Sequence, residues 1–249
     1  MKRVVFSTLF IAILVSCTLE KTPKTAQEII DRSIKTSRTY KLANAKLTFD
    51  FRERRYTADR KNGLFELQRI SKNGPEVITD IFSNHGFQRF LNKTPIEVLN
   101  SMAVKYSESI NSVHYFAVLP YGLNDKAVRK KLLPEITIKN KAYYKIEVTF
   151  AQEGGGVDFE DVFVYWINKK TFQIDYLAYS YHVNGGGKRF RQATKTHLID
   201  GIRLANYSNY KTNNPATSLK ELDKAFEADE LIKISEIKID SIKISKSDF

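Results

Sequence analysis

Apolar and polar residues alternate along most of this chain, and helical spacing replaces the alternation in only a few places. Thr25-Ala26-Gln27-Glu28 has the form of a capping box, and Ala26, Ile29, Ile30, Ser33 and Ile34 follow on one helix face. From Ala45 the period drops to two. Ala45, Leu47, Phe49 and Phe51 alternate with Lys46, Thr48, Asp50 and Arg52, as in a strand with one buried face. Tyr56 and Ala58, Phe65 and Leu67, Val77 to Ile81, and Phe87 to Leu91 continue the pattern. Asn62-Gly63, Asn73-Gly74-Pro75 and His85-Gly86 separate them, and Asn-Gly favours a tight hairpin because both residues tolerate positive φ. The stretch from 43 to 91 predicts a meander of about five antiparallel strands.

Helix is expected again at Thr94-Pro95-Ile96-Glu97, with Thr94 as cap, Pro95 at the first helical position, and Val98, Met102 and Tyr106 on one face. A second short helix carries Val113, Phe116 and Ala117 and ends at Leu119-Pro120; Asp125 caps a further turn through Leu133, stopped by Pro134. Strands then resume at Ile136–Ile138, Tyr144–Phe150, Phe163–Ile167, Ile174–Val183, Arg189–Leu198 and Ile202–Tyr210. A last helix is capped by Ser218, with Leu219, Leu222, Ala225 and Phe226 as its apolar stripe. In the tail, the pairs Ile232/Ile234, Ile237/Ile239 and Ile242/Ile244 change parity twice. One flat strand cannot turn all six to one face, so bulges or bends are expected near Ser235-Glu236 and Asp240-Ser241. The sum is an α+β chain with about ten or eleven antiparallel strands, and it lacks the strand-helix-strand repeat of a doubly wound or barrel enzyme.

The first residues follow a different logic. Lys2 and Arg3 precede an apolar run from Val4 to Val15, about a dozen residues, whereas a spanning helix needs about 20. That suits the apolar core of a signal peptide. The run ends Leu14-Val15-Ser16-Cys17, which resembles the lipobox of bacterial lipoproteins. The resemblance implies cleavage before Cys17 and acylation of that cysteine. Two or more acyl chains hold a protein stably to a bilayer, at about 0.8 kcal/mol per buried methylene. The expected organisation is residues 1–16 as leader, 17–24 as lipidated tether, and 25–249 as one domain. Thr18 after the cysteine, and a tether without an acidic cluster, resemble lipoproteins sent to the outer membrane and held on its periplasmic face.

Cys17 is the only cysteine, so the domain has no disulfide and depends on a hydrophobic core. Removing 16 of the 249 residues leaves 233, enough for one large β domain. The formal charge is +12, but the cations are spread along the chain instead of forming blocks. Together with an extracytoplasmic address, this argues against nucleic acid. An anionic membrane surface or a plain solvated surface accounts for the charge as well.

A lipobox, an N-terminal helix, one antiparallel meander, a helical insert and a second meander together resemble the outer-membrane lipoprotein carrier (LolA/LolB-like) superfamily. The runs Leu119-Pro120-Tyr121-Gly122-Leu123-Asn124-Asp125, Gln152-Glu153-Gly154-Gly155-Gly156, Val164-Tyr165-Trp166, Asp175-Tyr176-Leu177-Ala178-Tyr179 and Arg189-Phe190-Arg191 resemble an uncharacterised Gram-negative lipoprotein family. The resemblance implies a strongly curved antiparallel half-barrel wrapped around a helical plug, with an apolar cavity for acyl chains or other hydrophobic ligands. The carriers are soluble, whereas this chain is expected to be anchored, so a shuttling role does not transfer.

If the sheet curves around the insert, Phe49, Phe51, Tyr56, Phe65 and Phe87 face Met102, Tyr106 and Phe116. In a closed core they are packing; in an incompletely filled half-barrel they line a lipid-sized pocket. A four-residue loop Asn184–Gly187 would set Val183 opposite Lys188, His182 opposite Arg189 and Ser180 opposite Arg191. Arg189 and Arg191 would then share a face with Tyr176, Ala178, Ser180 and His182, while Leu177, Tyr179, Tyr181 and Phe190 take the other. Two arginines at i and i+2 could grip a carboxylate or phosphate, or pair with Asp158, Glu160 or Asp161. No two of His85, His114, His182 and His197 have metal-ligand spacing, and the glycine triplets lack the context of a phosphate loop. No metal, cofactor or catalytic residue is expected. The preferred reading is an anchored envelope lipoprotein that binds a hydrophobic or amphipathic ligand. An accessory lipoprotein that binds another protein, and a hydrolase, are the alternatives.

Overall fold

The computed structural model describes Pro23, residues 25–182 and residues 185–249; the leader, Cys17, most of the tether, Val183 and Asn184 lie outside the described residues. After α1 (Ala26–Ser37) the chain builds β1 (Ala45–Phe51), β2 (Arg54–Lys61), β3 (Leu64–Asn73), β4 (Glu76–Ser83), β5 (Gly86–Leu91) and β6 (Thr94–Ile96). Next come α2 (Asn100–Ala117), then β7 (Val128–Ile138), β8 (Lys141–Phe150), β9 (Phe163–Asn168), β10 (Ile174–Tyr181), β11 (Gly187–Ile199) and β12 (Ile202–Lys211). The chain closes with α3 (Leu222–Glu227), β13 (Ile232–Ile237) and β14 (Ile239–Ser245). The strands form two seven-stranded antiparallel sheets, ordered β14-β1-β2-β3-β4-β5-β6 and β13-β12-β11-β10-β9-β8-β7. Neither is closed, and together they make a curved half-barrel around α1 and α2.

The hairpin signals act as read: Asn62 and Gly63 both have positive φ, and β2 and β3 pair from Lys61 and Leu64 outward. The Thr25 box is present in full, with the Glu28 N–H donating to Thr25 Oγ1 and the Thr25 N–H donating to Glu28 Oε2, both at 3.1 Å. In the tail, the β12–β13 register shifts between Asn209 and Tyr210, and the β1–β14 register shifts between Thr48 and Asp50, beside Ser241 with φ 51°. These irregularities absorb the parity changes of the isoleucines. Only Lys238 separates β13 from β14, so one turn carries the chain from the second sheet to the first.

Several expectations are corrected. Among the described residues there are fourteen strands, the additions being β6 and the C-terminal pair. Thr94-Pro95 does not start a helix. Asn92 and Lys93, both at positive φ, turn the chain so that β6 pairs with β5, and α2 begins later, at Asn100, without a side-chain cap. Proline is tolerated there because β6 is an edge strand. The same reasoning covers Pro134, which lies at a register shift in β7, the edge of the second sheet, and not at the end of a helical turn. The two helices expected across 94–117 are one, running to Ala117.

The consequential correction is the β10–β11 register. Tyr181 pairs with Gly187, Tyr179 with Arg189 and Leu177 with Arg191, so five positions separate the strands and not four. Each arginine pairs three positions away from its expected partner, and a slip by any odd number moves every side chain to the other face. Arg189 and Arg191 therefore lie with Leu177, Tyr179 and Tyr181 on the face toward the helices, while Phe190 lies on the outer face against Trp166, Tyr176 and Phe226. Gly187 permits the longer connection, because the Tyr181 ring occupies the space a Cβ would take, with Oη 2.8 Å away.

The second sheet is covered on both faces, which is why all six residues of β9 are buried. Inside, Tyr144, Ile146, Val148, Tyr165 and Leu177 pack on Ile29 and Ile30 of α1. Outside, Leu222 and Phe226 of α3 cover Tyr143, Val164, Trp166 and Phe190. Asp223, fully buried, accepts hydrogen bonds from Lys145 Nζ at 2.7 Å and Trp166 Nε1 at 2.9 Å, which pins α3. No helix among the described residues is long and apolar enough to cross a membrane.

Candidate functional site

The site is built on α2. This helix packs against β3, β4 and β5, and a buried ionic cluster fixes it there. Asp80 of β4 is 1% exposed and bridges Arg69 of β3 at 2.6 Å and Arg89 of β5 at 2.6 Å. Arg69 donates to Ser109 Oγ at 3.0 Å, and the Arg89 guanidinium lies 3.7 Å from the centre of the Tyr106 ring, so both arginines hold α2 from below. Nearer its end, His114 is wedged edge-on between Phe49 and Tyr56, with Nε2 3.3 Å from the Gln68 carbonyl.

On its other side α2 meets the second sheet through Tyr115 and Phe116, and beside that contact opens a cavity of about 350 Å³, within the usual span of about 300–1,000 Å³ for small-molecule sites. Tyr115 and Phe116 form its helix wall; Phe150, Phe163, Tyr179 and Tyr181 form its sheet wall. The rings are in mutual contact: Phe116 to Tyr179 at 5.0 Å, Tyr115 to Phe163 at 5.6 Å, and Phe163 to Tyr179 at 5.5 Å. The polar part of the lining is Glu108, Asn111 and Ser112 of α2, Arg189, and Asp158 and Asp161 from the loop 151–162. That loop bends sharply at Gly155, where a Cβ would fall 2.1 Å from the Ala151 carbonyl oxygen. Burial, then the neighbouring Asp158, raises the Asp161 carboxyl above its ordinary pKa, and His182 at 3.4 Å partly offsets this. Burial and Asp158 likewise raise Glu108.

Ser112 and Phe116 also border a second void of about 70 Å³ at the seam between the sheets, with Phe51, Ala205, Tyr207, Ile237 and Ile239. Arg191 enters it. Its guanidinium lies 3.8 Å from the centre of the Phe116 ring, and Nη2 donates to Tyr179 Oη at 2.8 Å. Close by, the Tyr115 and Tyr165 hydroxyls share a hydrogen bond of 2.6 Å. Burial raises the pKa of both phenols and of Tyr207, so the groups around Arg191 are uncharged at neutral pH.

Of the eight apolar residues singled out from the sequence, Phe116 lines the main cavity and Phe51 the seam void. Phe49 and Tyr56 are packed in the core, stacked at 5.5 Å. Phe65 packs on Phe82, and Phe87 on Tyr106. Phe87 also borders two open grooves along α2. Met102 is half-buried on the same helix. The structure does not bring these eight into one chamber. The aromatic-walled cavity lies on the second sheet, and its Tyr115, Phe163 and inward Tyr179 and Tyr181 are not among the eight. The alternation ending at Phe150 and the shared face of Tyr179 and Tyr181 were the available signals. Arg189 and Arg191 have no carboxylate within ion-pair distance among the described residues, so the pairing with Asp158, Glu160 or Asp161 is not made. Among the described residues no three potential ligands gather as a metal site, and no lining hydroxyl is hydrogen-bonded to a histidine or carboxylate.

A bent antiparallel shell, inner helices and a lined gap between them define a LolA-like half-barrel. A LolA superfamily protein from Nitrosomonas europaea superposes with a TM-score of 0.50 at 12% identity, covering 90% of this chain and 93% of that one. A DUF1329 family protein from Desulfovibrio piger is also similar, with TM-score 0.39, 11% identity, and coverage of 91% and 94%. No curated protein matches the chain. The family itself is clear: the chain belongs to DUF6503, a family of unknown function, whose model matches residues 2–239.

Proposed function

We propose that this protein is an envelope lipoprotein, anchored through acylated Cys17, that holds a hydrophobic or amphipathic ligand between α2 and the second sheet. The observation that carries the reading is the aromatic-walled cavity of about 350 Å³, left open where α2 leans on the first sheet. Its size suits a single alkyl chain better than several. An apolar, environment-sensitive dye such as N-phenyl-1-naphthylamine tests it, using the chain with Cys17→Ser so that no anchoring acyl group competes. Saturable fluorescence enhancement is expected, weakened more than about tenfold by Ser112→Phe, which fills the space from the helix side. Absence of saturable binding refutes the proposal. The anchor is tested separately: Cys17→Ala should abolish incorporation of labelled palmitate and move the protein from the membrane fraction to the soluble one.

A second reading, an accessory protein that docks to another envelope protein, draws on apolar side chains beside α2. Leu99, just before α2, is 77% exposed, and Val104 and Val157, also exposed, line a groove of about 400 Å³ beside the helix. Leu99→Asp should abolish a cross-linked complex in intact cells if that face is the contact.

A further inference from the structure

Arg191 is 8% exposed, and the charged neighbourhood that would normally accompany a buried guanidinium is missing. A guanidinium carries five N–H donors and no acceptor. Among the described residues its one side-chain hydrogen bond goes to Tyr179 Oη, and its Nε has no partner. No carboxylate lies within ion-pair distance, and the groups that favour its charged form are the Tyr179, Tyr207 and Tyr165 phenols. Contact with the Phe116 ring at 3.8 Å and with Tyr179 at 5.0 Å returns part of the desolvation cost, but neither supplies a counterion. Buried charges in proteins are otherwise paired. Arg69 and Arg89 follow that rule by sharing Asp80, whereas Arg60 and Arg203 are also buried without an ion pair among the described residues; what sets Arg191 apart is the void it borders.

The position matters as much as the charge. Arg191 borders the void at the sheet seam, next to Ser112 and Phe116, which also line the main cavity. A ligand that reaches from the aromatic cavity past Ser112 and Phe116 into the seam void therefore meets an unneutralised cation. The carboxylates of that cavity, Glu108 of α2 and Asp158 and Asp161 of the loop 151–162, do not border the seam void, and Asp158 is exposed to solvent.

We infer that Arg191, with the Tyr179 hydroxyl, is the seat for the anionic head of a ligand that carries a single alkyl chain in the aromatic cavity. The inference rests on the ligand-binding reading above and adds the chemical class. A carboxylate or phosphate oxygen would accept from the free N–H groups in a charge-assisted bond, stronger than a neutral one. The chain would lie along Phe116, Phe163 and Tyr179.

The test compares dodecanoate, dodecyl phosphate and dodecanol on the full chain carrying Cys17→Ser, by displacement of N-phenyl-1-naphthylamine. At least one anionic amphiphile should bind about tenfold or more tighter than dodecanol. The tighter of the two identifies carboxylate or phosphate as the head. Arg191→Met should erase that preference, bringing the anionic amphiphiles to within about twofold of dodecanol measured on the same variant. Equal binding of all three in the wild-type chain overturns the inference while leaving the cavity reading intact. That comparison needs no variant, so equal binding overturns the inference even if Arg191→Met fails to fold, and loss of the preference in Arg189→Met, a change at the cavity wall itself, would overturn it too. A preference that survives Arg191→Met in a folded variant also overturns it. Binding of none of the three refutes the cavity reading itself.

Discussion

His114 is a titratable ring held where it cannot titrate. It is 1% exposed, its Nδ1 has no partner, and burial together with the nearby Arg60 charge depresses its pKa to about 3. The unfolded chain protonates this ring near pH 6.5. Between about pH 6.5 and 3 the unfolded state thus binds more protons than the folded one, and stability falls as pH falls, by up to about 1.4 kcal/mol per unit. Above pH 6.5 the ring is neutral in both states and the effect vanishes. His114→Phe keeps the aromatic contacts with Phe49 and Tyr56 and removes the proton site. Urea midpoints measured from pH 7 to 4 should fall less steeply in that variant, with stability at pH 7 changed by less than about 1 kcal/mol. Equal slopes in the two proteins would show that other groups set the acid limb. Arg191 shows why single residues were hard to place from sequence. Its identity as a candidate anion ligand was legible, but its face depended on the length of one connection.

At the scale of elements, α2 is the movable-looking wall of the cavity, yet its lower side is locked by charge. Asp80 satisfies two buried arginines at once, and those arginines in turn touch Ser109 and Tyr106 of the helix. Removing one member of a buried ionic cluster leaves uncompensated charge and costs about 3–5 kcal/mol. Asp80→Asn should lower unfolding free energy by that amount in denaturant titrations and also weaken dye binding, because the helix wall loses its support. A stable variant with unchanged dye affinity would mean that α2 is placed by its apolar contacts alone. Elements with both a local and a tertiary signal were readable. The Thr25 cap, the Asn62-Gly63 turn and the alternation of β1 and β8 all concern neighbours in sequence. The Thr94-Pro95 segment was misread because its cap chemistry is weaker than the pairing of β6 with β5, which sequence does not display.

At the scale of the molecule, the last strands join the halves. β14 covers the edge of β1 and β13 covers β12, with Lys238 between them. Deleting residues 232–249 would expose two strand edges at the seam, and unpaired edges promote association. The truncated chain should sediment as aggregates at concentrations where the full chain is monodisperse, and its thermal unfolding should lose a single cooperative transition. A truncated chain that stays monodisperse, with the full-length midpoint, would mean that each sheet holds its own edge.

What the sequence determined by itself was the local grammar: which stretches alternate, where hairpins turn, that the chain is antiparallel β with few helices, and that isoleucine parity forces irregular strands at the end. Those features depend on residues a few positions apart. The tertiary structure alone decided that the second sheet is covered on both faces, that α2 leans toward the first sheet and leaves its gap at the second, and that Arg191 points inward. Each of those outcomes comes from contacts between residues far apart in the chain, or from an odd-numbered register shift that alternation permits equally in either direction.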